Sequence, residues 1–160
     1  MRTINKLMSC MLLMFAPLVA AELPPSIYTS LADSAPEALI VEVILVRTTQ
    51  TTEKTTVEVK SKVVHVLRSK SGLEEGSLLD IQYVRVKRPP GWVGPSQPPP
   101  LSAGEMAPAF LSARKNGSGI YDPAAGGKSF SHQVWERVES SDEQKNKMSR
   151  LESHDEEVEQ

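Results

Sequence analysis

The residues of this chain that could do chemistry are few. Gly126-Gly127-Lys128-Ser129 has the ending of a phosphate loop. That loop needs a glycine five residues before its Gly-Lys-Ser, where Asp122 stands, and a following helix whose first amides hold phosphate. Phe130-Ser131-His132-Gln133 is a poor helix start. Ala124-Ala125-Gly126-Gly127 therefore reads sterically: small residues let backbone approach backbone, in a chain reversal with Phe130 plugging the core beside it. His65, His132 and His154 stand too far apart for a metal site built from neighbouring ligands, and no local Ser-His-Asp pattern exists. An enzyme would need a site assembled at long range, for which Asp122, Lys128 and His132 are the candidates. Cys10 is the single cysteine. No catalytic residue, metal site or cofactor is assigned.

Trp92 stands among prolines and glycines with Lys87 and Arg88 nearby. An exposed tryptophan on a stiff loop, flanked by cations, is a partner anchor. The competing expectation folds it over the barrel mouth, since large aromatics are mostly buried. Trp92, Arg88 and Lys87 are the candidate binding residues.

The N-terminus decides where such chemistry takes place. Arg2 and Lys6 precede an apolar run from Leu7 to Val19, then Val19-Ala20-Ala21 supplies small residues before Glu22, Pro24 and Pro25. This is the layout of a cleavable secretory signal over 1–21, and the run is short for a membrane span. The expected mature chain starts at Glu22, is exported to the periplasm or medium, and has no cysteine for a disulfide or thiol site.

Charge narrows the partners. The chain is −2; without Arg2 and Lys6 it is −4, and residues 136–160, with nine acids and four bases, carry −5. The body, 22–135, is thus +1, without the basic stripe that nucleic acid requires. The expected partner is an envelope or extracellular protein.

The elements that must position these residues are mostly strands. Residues 22–37 form a leader in which Ile27 and Leu31 are spaced for a helical turn. Ala38–Arg47 is apolar on both faces apart from Glu42, the mark of a covered strand. Thr48–Lys54 is expected as a polar hairpin loop. Thr55–Arg68 alternates with Val57, Val59 and Val63 inward and Glu58, Lys60 and Lys62 outward, then slips phase at Val63-Val64. Ser77–Lys87 is expected to slip likewise after Tyr83. Such slips mark β-bulges, which let long strands bend round a barrel. Arg88–Leu101 is a proline-rich excursion, Met106–Ala113 a fourth strand with Pro108 as a sign of an edge, and Ile120-Tyr121 a fifth after the Asn116–Gly119 turn. The expected fold is all-β: a small five-stranded antiparallel barrel over 38–135 with a long proline-rich loop. Val134, Trp135 and Val138 are expected still to touch the body; beyond them the tail, 136–160, is expected to be charged, solvated and partly helical or disordered.

The ALIVEV strand from Ala38, the Val63–Gly76 strand and turn, Gly94-Pro95, Pro98-Pro99-Pro100-Leu101, Gly104 and Tyr121–Phe130 resemble exported bacterial proteins whose domain is similar to the tissue inhibitors of metalloproteinases, a netrin-like domain. The resemblance covers the body and neither end. It implies an oligonucleotide/oligosaccharide-binding (OB) barrel. The animal inhibitors grip the catalytic zinc with an N-terminal cysteine; here Glu22 occupies that place, so no inhibitory residue carries over. A non-enzymatic binding module is the expected function, with an inhibitor of an exported hydrolase or metalloproteinase, or a long-range enzyme site, as the alternatives.

Overall fold

The structure is a computed structural model describing residues 22–158 except position 93. The expected signal peptide lies outside the described residues. The chain runs through α1 (Pro25–Asp33), β1 (Glu37–Gln50), β2 (Lys54–Ser69), β3 (Leu78–Val86), β4 (Met106–Ala113), β5 (Ile120–Pro123), a 3-10 turn (Gly126–Lys128) and α2 (His132–Val158). The strands close into a barrel in the order β1-β2-β3-β5-β4. One expectation needs correction: the barrel is not wholly antiparallel, because β3 and β5 pair in parallel. The other four strand pairings are antiparallel.

The barrel is filled by one face of each strand. Leu39, Val41 and Val43 of β1 meet Val57, Val59 and Val63 of β2, Leu79, Ile81 and Tyr83 of β3, Ala107, Ala109 and Leu111 of β4, and Tyr121 of β5. β-branched side chains suit these positions because their restricted χ1 loses little on a pleated surface. The small alanines of β4 make room for Phe130, whose ring lies 5.8 Å from that of Tyr83.

Bulges bend the first hairpin. Ile40 pairs with His65 but Val41 pairs with Val63, so Val64 is the extra residue where the alternation slips. A further irregularity between Val43 and Leu45 was hidden in the sequence by the apolarity of both strand faces. It leaves Ile44 outside and turns Val46 toward the core. The slip expected in β3 does not occur: its pairing with β2 is continuous from Leu78 to Val86, and Val84 and Val86 face outward. The inner phase of β3 therefore runs on to Arg85. The expected loop Thr48–Lys54 is mostly ladder, since Thr48, Thr49 and Gln50 pair with Val57, Thr56 and Thr55. Pro108 needs no partner for its missing N–H. Phe110, two residues on, donates its amide away from β1, to Ser129, so Pro108 presents its nitrogen on the side that β5 does not reach.

Helices cover the outside of β1 and β4. Pro25 at the first helical position suits α1 because proline's φ is preset and its missing donor is an orphan there anyway. The helix turns Tyr28 and Ala32 inward, while Ile27 and Leu31, the pair that marked the turn in the sequence, are exposed. α2 crosses the expected boundary at 135/136 without a break. Val134, Trp135 and Val138 pack with Ala32, Ala38, Phe110 and Ala125, and the Trp135 and Phe110 rings lie 6.0 Å apart. These are the three residues expected to touch the body, and Val138 carries that contact past position 136. Arg68 binds the layer together: Nε and Nη2 donate to the carbonyls of Ala35 and Ala32 at 3.1 and 3.0 Å, and Nη1 to Asp142 at 2.8 Å. Cationic donors fit the carbonyls left open at a helix C-terminus.

Candidate functional site

The helices pack on the end of the barrel around Ala38 of β1, Leu67 of β2 and Phe110 of β4; the outer surface around Leu45, Lys60, Asp80 and Ile120 lies outside that cluster. Register sets two rows of side chains across it. Arg47, Glu58 and Gln82 lie abreast, as do Leu45, Lys60, Asp80 and Ile120. A groove of about 230 Å³ runs between them, with Val59 and Ile81 in its lining. Gln82 Nε2 donates to Glu58 at 3.0 Å, and Lys60 lies 3.6 Å from Asp80. Arg114 extends the first row: Nη1 donates to Gln82 Oε1 at 2.7 Å, while Nε and Nη2 grip Asp122 at 3.0 and 2.7 Å. The hydrogen bonds from Arg114 to Asp122 hold the guanidinium pKa above its ordinary value. Two cations, Arg47 and Lys60, face two anions, Glu58 and Asp80, so the groove is charged but balanced. Glu58 and Lys60 were legible as outward residues of an alternating strand. That Leu45, Arg47 and Ile120 join them was not, because the β1 bulge and the parallel β3–β5 pair are tertiary features.

The three residues singled out in the proline-rich segment separate. Trp92 is 52% exposed, so it is not the mostly buried aromatic of the competing expectation; its ring lies over Gly94, where an added Cβ would meet the indole. Arg88 donates to the Pro95 carbonyl and is engaged within the loop. Lys87 turns instead toward the β1–β2 turn, its amide donating to the Glu53 carbonyl at 2.8 Å. The segment is tightly bound. Gln97 pairs with both backbone groups of Val86, at 2.7 and 3.0 Å, taking the place of a neighbouring strand. Tyr83 donates to the Pro99 carbonyl at 2.8 Å and Leu101 is buried. Burial pushes the Tyr83 hydroxyl above its ordinary pKa of 10.0.

Asp122, Lys128 and His132 do not form one centre. Asp122 is held by Arg114, Lys128 lines a cleft between α1 and α2 with Tyr28 and Arg137, and His132 is exposed at the start of α2. In that cleft Tyr28 and the Ser96 amide donate to Glu22 at 2.9 and 3.2 Å, which lowers the carboxyl's pKa, the Tyr28 bond first. Contrary to the sequence expectation, a helix does begin at His132. The glycines before it are nevertheless unlike a phosphate cradle: Gly126–Lys128 is a single 3-10 turn with Gly127 pressed on Ser96. The close-packed neighbour is the proline-rich loop.

Glu37 is a buried acid, 1% exposed, that the sequence reading passed over. It accepts from Ser69 Oγ at 2.5 Å and the Ser71 amide at 3.1 Å. Its work is to tie the β2–β3 turn to the barrel, since each carboxylate oxygen is occupied by that turn. No group of histidine, cysteine and acidic side chains suited to a metal occurs among the described residues. No family model matches the chain, and no curated protein matches it in sequence.

Proposed function

We propose that the chain is an exported, non-enzymatic interaction module of the OB type that binds a protein partner across the outer groove of β1, β2, β3 and β5. The export reading rests on the signal-like sequence of Met1–Ala21. The OB reading is supported by the strand order 1-2-3-5-4 in a closed five-stranded barrel; in that fold the surface of strands 2 and 3 is a common binding face. The observation that carries the function is the groove itself. It is an open concave surface whose two cations and two anions balance, with Leu45 and Ile120 among them. A polyanion such as nucleic acid calls for an excess of positive charge. A balanced row with apolar residues between the charges fits the mixed surface of a protein.

The test is capture from envelope extract or culture medium with the mature chain, in parallel with Leu45→Glu and Lys60→Glu, both on exposed positions that leave the core alone. One dominant partner held by the parent and lost from both variants is the expected result. Equal capture by all three would remove the groove from the interface. Turnover in a panel of hydrolase substrates would overturn the non-enzymatic reading.

A further inference from the structure

At the barrel mouth formed by the β1–β2 turn and the end of β3, a separate cavity of about 260 Å³ is lined by Thr51, Thr52, Lys54, Thr55, Arg85 and Lys87 among others, with no acid in its lining. The fold assembles it from three segments. Lys54 starts β2 opposite Val86, Thr55 stands opposite Arg85, and the Lys87 amide fastens the following loop to Glu53. The turn is stiff, because Thr51 exchanges backbone and hydroxyl bonds with Lys54 at 2.8 to 3.2 Å. Among the described residues no acidic side chain forms an ion pair with Lys54, Arg85 or Lys87. Arg85 carries the decisive feature. Its Nε is buried and has no hydrogen-bond partner, one of two such side-chain atoms among the described residues, the other being Ser61 Oγ inside the barrel. Buried donors are normally satisfied; no acceptor among the described residues holds this one, and Arg85, Lys54 and Lys87 together leave in one lining positive charge that an anion would neutralise.

We propose that this mouth is a binding site for a tetrahedral dianion, a phosphate or sulfate group. Donors arriving from a turn, a strand and a loop suit oxygens pointing in several directions, whereas a planar carboxylate is best met by one guanidinium fork. The cavity exceeds a bare ion, leaving room for the group to which the phosphate or sulfate is esterified. The site is independent of the balanced outer groove.

The probe is inorganic phosphate titrated into the mature chain, followed by amide NMR shifts at constant ionic strength set with chloride. Saturable shifts at Lys54, Thr55, Arg85 and Lys87, competed by sulfate, are expected. Arg85→Gln should weaken binding about tenfold to a hundredfold, the range for losing a hydrogen-bonded charge. Arg85→Lys, which keeps charge and bulk but lacks Nε, should fall between. Lys115→Gln, on an exposed residue of the β4–β5 hairpin, makes the same change in net charge and should bind as the parent does. Parallel arms with a soluble sugar phosphate and with vesicles of phosphatidic acid in phosphatidylcholine distinguish a small ester from a lipid headgroup. Thermal melts of each variant confirm folding. Absence of saturation, or equal weakening in Lys115→Gln and Arg85→Gln, would overturn the proposal.

Discussion

Replacing Gly127 by alanine tests how the proline-rich loop is held. Gly127 does not need an unusual backbone conformation, since its φ is not positive. Its requirement is space. An added Cβ would stand 2.5 Å from the Ser96 carbonyl carbon and 2.5 Å from Ser96 Cβ, and closer still to Ser96 Oγ. Carbon atoms in contact settle at about 3.5–4.0 Å, so loop and turn must part by roughly 1 Å. Ser96 cannot retreat freely, because its amide and hydroxyl both donate to Tyr28 at 3.0 Å and its amide also reaches Glu22. Overpacking of this kind costs about 1–3 kcal/mol. At roughly 3–5 °C per kcal/mol for a chain of this size, Gly127→Ala should melt about 3–15 °C below the parent by circular dichroism. Gly126→Ala is the contrasting case. Its φ is +53° and its added Cβ would lie 3.5 Å from Tyr28, an ordinary contact, so only the conformational cost of about 1–2 kcal/mol applies. Adding Ser96→Gly removes two of the three clashing atoms and should restore part of the loss in Gly127→Ala but none in Gly126→Ala. A Gly127→Ala protein melting within a degree of the parent would refute the close packing of turn on loop.

Two further outcomes follow from the packing. Arg68→Ala should destabilise by roughly 2–3 kcal/mol in urea, for loss of charge-assisted bonds to two carbonyls and one carboxylate. A chain ending at Ser141 should be less stable than one ending at Glu143 by at most about 1 kcal/mol, because the Arg68–Asp142 pair is partly solvated; identical melting would show that pair to be idle. The Tyr83 hydroxyl, raised by burial, binds its proton more tightly in the folded chain than in the unfolded one. Its contribution is therefore complete below pH 10 and lost as pH rises through the folded value. Tyr83→Phe, which cannot ionise, should flatten the alkaline arm of the stability–pH curve from pH 9 upward, and an unchanged slope would contradict this.

Sequence alone determined the strands, because alternation of apolar and polar residues is a local property that burial on one face imposes. Val57, Val59 and Val63 against Glu58, Lys60 and Lys62 marked β2 and its inner face. The slip at Val63-Val64 marked a bulge for the same reason. The small residues before Phe130 likewise announced close backbone packing, though not its neighbour. Local pattern failed where two faces were equally apolar or where long-range pairing chose the phase. In β1 the bulge at Ile44 was invisible among apolar neighbours. In β3 the outward Val84 and Val86 imitated a slip that continuous pairing with β2 does not permit. That difference of one residue turns Arg85 from an outer side chain into a lining group of the barrel mouth. The polar pattern of 136–160 likewise gave no sign that Asp142 would anchor α2 to Arg68, 74 residues earlier. Such pairings follow from the closure of the barrel and the docking of the helices on it, so tertiary structure alone decided which charged residues share a surface.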